Sequence, residues 1–225
     1  MAVSQTPGLL AERSFVELLD LTSEECIDYR VALAMQQAIH LEVVNGLSPS
    51  TLMTLQHAPV FTAGKRTQPD ERPFPGVTNS TPVIDVDRGG KITWHGPGQL
   101  VGYPIIKLDN PLELVGYVRE IESGIIALLG DLGIMGERVA GRSGVWIDGK
   151  RKIAAIGIRV AQGVTMHGFA INSNCSLDSF SEIVPCGITD SEVTSISREI
   201  GKDLSVTEIM PLVRERIVPV LERLI

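Results

Sequence analysis

Residues 145–171 run VWIDGKRKIAAIGIRVAQGVTMHGFAI. Val145–Ile147, Lys152–Val160 and Val164–Ile171 are rich in β-branched and other apolar residues, the composition that suits a pleated, half-buried surface. Asp148-Gly149, between the first two runs, accepts the positive φ angles of a two-residue hairpin turn. The connections are too short for the helical crossover that parallel neighbours require, so these strands are expected to pair antiparallel.

Further strand-like runs precede this segment at Thr51–Gln56, Pro82–Val86, Lys91–Trp94 and Val101–Ile106. Three helices are expected around them. Thr22 with Glu25 gives a capping-box pattern, after which Ile27, Val31, Ala34, Ala38 and Leu41 predict one apolar face that ends at Asn45-Gly46. Leu114, Val118, Ile121, Ile125, Leu128 and Leu132 mark a second. The third opens at Ser205 with Glu208 and carries Ile209, Val213, Ile217, Val220 and Leu224, with Pro211 and Pro219 expected to kink or divide it. Strands outnumber helices, which predicts an α+β fold: a mixed, largely antiparallel sheet flanked by helices. There is no internal repeat or interdomain linker. Residues 1–13 are expected to be a flexible tail, 14–225 a single domain, and the Pro-rich Gln68–Thr81 a mobile loop.

The chain has 225 residues, enough for one domain with a sizeable core, and its 44% hydrophobic and 21% charged content is that of a globular protein. A formal net charge of −7 excludes general nucleic-acid binding, because a phosphate backbone needs a basic face. Three cysteines without regular spacing give neither a disulfide framework nor a zinc pattern. No signal-peptide pattern opens the chain, and no apolar run approaches the roughly 18 residues that span a bilayer. A cytoplasmic protein, bound neither to membrane nor to nucleic acid, is expected.

Chemistry concentrates in four places. Arg88-Gly89-Gly90-Lys91-Ile92-Thr93-Trp94-His95-Gly96-Pro97-Gly98-Gln99 surrounds two cations and a histidine with glycines that let backbone approach a ligand, although a hairpin with tight turns accounts for the pattern equally well. It is neither a P-loop nor a dinucleotide fingerprint. Val184-Pro185-Cys186-Gly187-Ile188 fixes a cysteine between a rigid and a permissive residue, a turn that can present a thiol; the plain alternative is a buried apolar cysteine. Cys26 and Cys175 lack such flanks. Lys150-Arg151-Lys152 reads as a solvated charge run except at Lys152, which adjoins the apolar strand, and Ala155 with Gly157 leaves room for a ligand on one strand face. Met166-His167-Gly168-Phe169-Ala170-Ile171-Asn172 places a histidine on an apolar strand, where a satisfied core residue is the ordinary finding.

Taken together, RGGKITWHGPGQLVGYP at 88–104, GVW at 144–146, KIAAIG at 152–157, HGFAIN at 167–172 and PCGI at 185–188 resemble the octanoyltransferase family of lipoate biosynthesis, the lipoyl(octanoyl) transferases. The resemblance runs from about Leu52 to Ser197. Two departures are Gln56-His57-Ala58-Pro59, where the family usually shows Glu-His-Pro, and Ser143, where proline is common in some relatives.

The resemblance implies the fold of biotin and lipoate protein ligases. It also implies transfer of an octanoyl group from octanoyl-acyl carrier protein, through a Cys186 thioester, to a lysine in the lipoyl domains of 2-oxoacid dehydrogenases and the glycine cleavage H protein. Lys152 would lower the pKa of Cys186 and, once the thiol is acylated, take the proton of the incoming amine. Substrate contacts are implied for Arg88, Gly89, Gly90, Lys91, Ile92, Thr93, Trp94 and His95, for Ala155, Ile156 and Gly157, and for Gly168, Phe169 and Ala170. His95 and His167 either position substrate or shuttle protons. The oxyanion falls either to backbone N–H groups around Gly168–Ala170 or to the turn at Cys186. No cofactor or metal is implied, and a monomer is expected. Because carrier and acceptor are acidic, Lys65, Arg66, Arg88, Lys91, Arg142, Lys150 and Arg151 are expected to form a basic rim. The alternatives are an ATP-dependent lipoate or octanoate ligase, a transferase drawing on another lipoylated protein, and a non-enzymatic lipoyl-binding module.

Overall fold

The computed structural model describes residues 15–73, 81–183 and 192–225. In chain order its elements are β1 Glu17–Asp20, α1 Tyr29–Val44, β2 Thr51–Leu55, β3 Val60–Ala63, β4 Val83–Asp85, β5 Thr93–His95, β6 Gln99–Ile105 and α2 Leu114–Asp131. These are followed by β7 Glu137–Val139, β8 Arg142–Ile147, β9 Arg151–Ala161, β10 Val164–Asn172, β11 Glu192–Val193, α3 Ile196–Ile200, α4 Val206–Arg216 and α5 Val218–Glu222. The main sheet has the order β1-β2-β6-β10-β9-β8-β7, with β11 added alongside β9. Only the β1–β2 and β11–β9 pairs in it are parallel. A small sheet, β4-β3-β5, stands beside it. The class is α+β, with a mixed, largely antiparallel sheet.

Both hairpins of the 145–171 segment close through paired positive φ angles: Asp148 at 50° with Gly149 at 64°, and Gln162 at 53° with Gly163 at 76°. Such turns match the twist of the flanking strands. Only the first is visible as a turn pair in the sequence.

Strand alternation sends side chains to two cores. Leu52, Leu100, Phe169 and Ile171 join Ile121, Ile125, Val213 and Ile217 of α2, α4 and the α4–α5 junction. Met53, Leu55, Val101, Tyr103 and Ala170 point the other way, toward Ala32 of α1.

Helix α1 departs from its sequence pattern. Its N-cap is Asp28, whose side chain accepts the Arg30 N–H, whereas Thr22 donates its hydroxyl to Asp20 Oδ1 at 2.7 Å. Its buried residues are Tyr29, Ala32, Gln36, His40 and Val43, while Val31 and Leu41 are exposed. The polar members are buried because they satisfy strand backbone: Gln36 Oε1 accepts the His167 N–H at 3.0 Å, and His40 Nε2 donates to the Ala161 carbonyl at 3.1 Å. At the other end of the chain the Ser205–Glu208 capping box forms, Pro211 stays inside α4, and the break falls at Ile217, with Pro219 opening α5.

Candidate functional site

A cavity of about 260 Å³ lies between β5, with the loop before it, and the strands β6, β10 and β9. Register makes its floor. Gly157 stands opposite Gly168, Ala155 opposite Ala170, and Ala170 in turn opposite Val101. Small residues directly across from one another leave the surface of the sheet open at this place. Gly168 has no latitude, because a Cβ there would collide with the Gly102 carbonyl and the Pro104 ring.

Lys152 reaches this floor by a defect in the sheet. Val145 pairs with Ala154, but Trp146 pairs with Lys152 and Ile147 with Arg151, so β9 carries one extra residue, Ile153, between those pairs. Ile153 and Ala154 both enter the apolar core. In a regular strand the odd separation between Lys152 and Ala155 would put them on opposite faces. The β-bulge puts both on the cavity. Lys152 is only 7% exposed, and its Nζ lies 4.6 Å from the centroid of the Trp146 ring. Gly144, at φ 100°, lies beside the lysine stem: a Cβ there would collide with the Ala154 carbonyl and come into ordinary contact, 3.5 Å, with Lys152 Cε.

The histidines form a buried polar layer. His95 Nδ1 donates to Gln99 Oε1 at 2.7 Å, Gln99 Nε2 donates to Asn172 Oδ1 at 2.9 Å, and Asn172 Nδ2 donates to the Thr194 carbonyl at 2.8 Å. The Thr194 N–H donates in turn to the Lys152 carbonyl at 3.0 Å, joining His95 to the lysine's strand. His57 donates from Nδ1 to the Ile27 carbonyl and accepts the Tyr103 hydroxyl at Nε2, 2.6 Å away. Burial holds His57 down to about 4 and His95 to about 3, so both are neutral at physiological pH. His167, at φ 57°, sits on the cavity wall with Nε2 donating to Asp87 Oδ1 at 2.8 Å. Burial lowers its pKa even against the pull of Asp87. A neutral His167 bonded in this way leaves Nδ1 as an acceptor, with the Tyr29 hydroxyl 3.5 Å from it.

Of the residues singled out in the sequence, Arg88, Gly90, Lys91, Thr93, His95, Lys152, Ala155, Ile156, Gly157, His167, Gly168, Phe169 and Ala170 line the cavity. Gly89, Ile92 and Trp94 do not. Alternation turns Ile92 and Trp94 into a separate core with Phe61, Cys175 and Phe180, where the Trp94 and Phe180 rings meet edge-on at 5.5 Å. Arg88 is a buried brace: its guanidinium donates to the Thr62 carbonyl at 2.7 Å, to Thr62 Oγ1 at 2.8 Å, and to the Lys91 and Gly89 carbonyls. Lys91 is ion-paired with Glu71, and Arg151 with Asp148 and Glu199. Of the expected basic rim, only Arg66 and Arg142 join Arg88 and Lys91 on the cavity, and no carboxylate lines it among the described residues. Gln56 has a definite task, accepting the Gly98 N–H at 2.8 Å and donating to the Thr22 carbonyl, which pins the Gly96-Pro97-Gly98 turn.

Tyr103, Thr62, Asp87 and Glu122 are not singled out by the sequence pattern. For Tyr103 a signal exists, since it lies within the 88–104 block, and it lines the cavity beside Val101. Cys186, with Pro185, Gly187 and Ile188, lies outside the described residues. Of the described cysteines, burial pushes the Cys175 thiol up to about 12, and burial followed by the Glu25 charge raises Cys26. Neither is activated as a nucleophile. No helix among the described residues is long and apolar enough to cross a membrane.

This arrangement is that of the lipoate and biotin protein ligase fold. The chain superposes on a bipartite lipoate protein ligase of Thermoplasma acidophilum with a TM-score of 0.73 at 18% identity, covering 93% of this chain and 84% of that one. It superposes on the biotin protein ligase of Aquifex aeolicus with a TM-score of 0.52 at 15% identity, over 93% and 70% of the two chains. Residues 28–218 match the lipoyl protein ligase A/B catalytic domain. The octanoyltransferase of Leifsonia xyli is 56% identical over 192 residues, 83% of this chain and 84% of that protein. The chain belongs to the lipoyl protein ligase A/B catalytic family, and within it to the lipoyl(octanoyl) transferases.

Proposed function

We propose that this protein is a cytoplasmic, monomeric octanoyltransferase that takes an octanoyl group from octanoyl-acyl carrier protein as a thioester on Cys186 and delivers it to a lysine of an apo lipoyl domain. The acceptors are the lipoyl domains of 2-oxoacid dehydrogenases and the glycine cleavage H protein. The observation that carries the reading is the 56% identity to an octanoyltransferase, spread over most of both chains. The site supplies the chemistry. Burying the seven carbons beyond the acyl carbonyl on a floor of Ala155, Gly157, Gly168 and Ala170 is worth about 6 kcal/mol, at about 0.8 kcal/mol per methylene.

Two described segments support a meeting of Cys186 with Lys152. Before the cysteine, Ile183 packs in the cluster of Trp94 and Phe180; after it, Val193 stands in register with Lys152. A narrow slot of about 20 Å³, lined by Thr93, Lys152, Ala155, Phe180 and Val193, lies between these neighbours.

An ammonium beside the sulfur favours thiolate. The thiolate attacks the donor carbonyl, the C–S bond to the carrier breaks, and the carrier leaves as a thiol once it takes a proton, for which Lys152 is the donor. Lys152, now neutral, accepts a proton from the acceptor amine as that nitrogen attacks the acyl-enzyme carbonyl. The C–N bond forms, the bond to Cys186 Sγ breaks, and the thiolate returns with an amide as product.

The test is to mix enzyme, octanoyl-carrier and an apo lipoyl domain without ATP or magnesium and to weigh the acceptor. Octanoylated acceptor is expected. The second reading, an ATP-dependent ligase, is suggested by the fold neighbours; activity only with free octanoate plus ATP would establish it in place of ours.

A further inference from the structure

We propose that Glu122 of α2 is a positioning residue for Lys152, acting through the backbone of Gly144. Its effect on rate rests on the octanoyltransferase reading, whereas its effect on the geometry of Lys152 does not.

The Glu122 side chain is fully buried, which is costly for a carboxylate unless it is paired and hydrogen-bonded. Oε2 accepts from Arg119 Nη1 at 2.7 Å and from Arg138 Nε at 3.1 Å. Both arginines are more than a third exposed, so pairing with them does not require the acid to be buried. What requires burial is the other oxygen: Oε1 accepts the Gly144 N–H at 2.9 Å.

Gly144 is the residue from which the cavity's β8 side is hung. Its φ of 100° and the Ala154 carbonyl, with which a Cβ would collide, favour glycine there, and the Lys152 stem passes beside it. The register shift that turns Lys152 onto the cavity begins at the next residue, Val145. Gly141, Arg142 and Ser143 line the cavity on one side of Gly144. On the other side Trp146 holds Lys152 Nζ at 4.6 Å and Arg142 Cζ at 5.6 Å from its ring centroid. One hydrogen bond therefore fixes the segment that aims the lysine.

The experiment compares wild type, Glu122→Ala, Glu122→Gln and Arg138→Ala. Glutamine keeps an acceptor for Gly144, whereas Arg138→Ala weakens the outer half of the network and leaves the Gly144 bond. In each, the Lys152 ε-methylene protons are observed by NMR, where the Trp146 ring current shifts them upfield, and kcat and KM are measured for octanoyl transfer. The upfield shift should be lost in Glu122→Ala and kept in Glu122→Gln and Arg138→Ala. The kcat of Glu122→Ala should fall on the order of 100-fold, as for a misplacement of about 1 Å, with KM little changed. If Glu122→Ala does not fold, Glu122→Met, which keeps volume and removes the acceptor, takes its place. A folded variant without the acceptor that retains the upfield Lys152 signals would overturn the proposal. So would equal loss of kcat in Arg138→Ala and Glu122→Ala at matched stability. Wild-type protein that transfers no octanoyl group would sink the functional reading alone, since the Lys152 signals still decide the positioning role.

Discussion

Lys152 Nζ lies 4.6 Å from the centroid of the Trp146 ring, the residue paired with it across β8 and β9. A desolvated ammonium on an indole face gains about 2 kcal/mol, which helps hold the lysine head group in one place. Lys152→Met, similar in length and without charge, is expected to fold and to retain the Trp146 contact. Its Cys186 thiol should react about tenfold more slowly with iodoacetamide at pH 7, the effect of a thiol pKa one unit higher. The pH dependence of labelling, mapped to Cys186 by mass spectrometry, checks this; coincident profiles for mutant and wild type would remove Lys152 from the role of thiol activator.

The floor predicts chain-length selection. Ala155 and Ala170 face each other where the acyl chain is proposed to lie. Ala155→Leu would occupy that space and shift preference toward shorter acyl groups, by about fourfold for each methylene excluded, at about 0.8 kcal/mol apiece. Competition between octanoyl- and butanoyl-carrier measures it, and an unchanged ratio would place the acyl chain elsewhere.

Arg88 separates a structural cation from a substrate-binding one. Its guanidinium donates to the Thr62 carbonyl and hydroxyl at 2.7 and 2.8 Å, a fork that an ammonium cannot reproduce. Arg88→Lys should therefore lose about 2 to 4 kcal/mol of stability despite retaining its charge, as buried hydrogen bonds at Thr62 go unmade. Urea unfolding provides the measurement; an unchanged midpoint with raised KM would make Arg88 a substrate contact.

Acid should destabilise the protein well before its carboxylates titrate. His57 and His95 are held down to about 4 and about 3 by burial, whereas in an unfolded chain each takes a proton near pH 6.5. The native state thus binds fewer protons, and stability is full above about pH 6.5 and lost as pH falls toward the folded values. Each histidine contributes a slope on the order of 1.4 kcal/mol per pH unit within that window. Calorimetry from pH 7 to pH 5 should show a falling Tm, with His95→Gln flattening part of the slope. A Tm constant across that range would contradict the burial of neutral histidines.

The strands β2, β4, β5, β6, β8, β9 and β10 and the Asp148-Gly149 hairpin are legible because β-rich runs and a turn pair are local signals, whereas β1, β3, β7 and β11, two to four residues long, give too little pattern to be read. The Gln162-Gly163 turn was missed because glutamine is an uncommon partner at positive φ. The buried face of α1 differs from its apolar pattern for a physical reason: Gln36 and His40 go inward to bond strand backbone, leaving Val31 and Leu41 outside. Along β5 and the residue before it, alternation separates Thr93 and His95 from Ile92 and Trp94, a distinction hidden when the motif is read as one block. The bulge at Ile153 left no local mark, so nothing in the sequence pattern predicted that Lys152 and Ala155 share a face. Nor does a cation announce, as at Arg88, that its guanidinium braces the Thr62, Gly89 and Lys91 carbonyls and the Thr62 hydroxyl.

Passage of the octanoyl group through Cys186 is read most directly by intact mass spectrometry. Enzyme incubated with octanoyl-carrier, without ATP or acceptor, should gain one octanoyl group that maps to Cys186, is released by hydroxylamine, and discharges onto an apo lipoyl domain added later. Cys186→Ala should neither load nor transfer, while Cys175→Ala, which removes a buried thiol, should do both. A folded Cys186→Ala protein that transfers octanoyl at the wild-type rate would mean that the acyl group does not pass through Cys186.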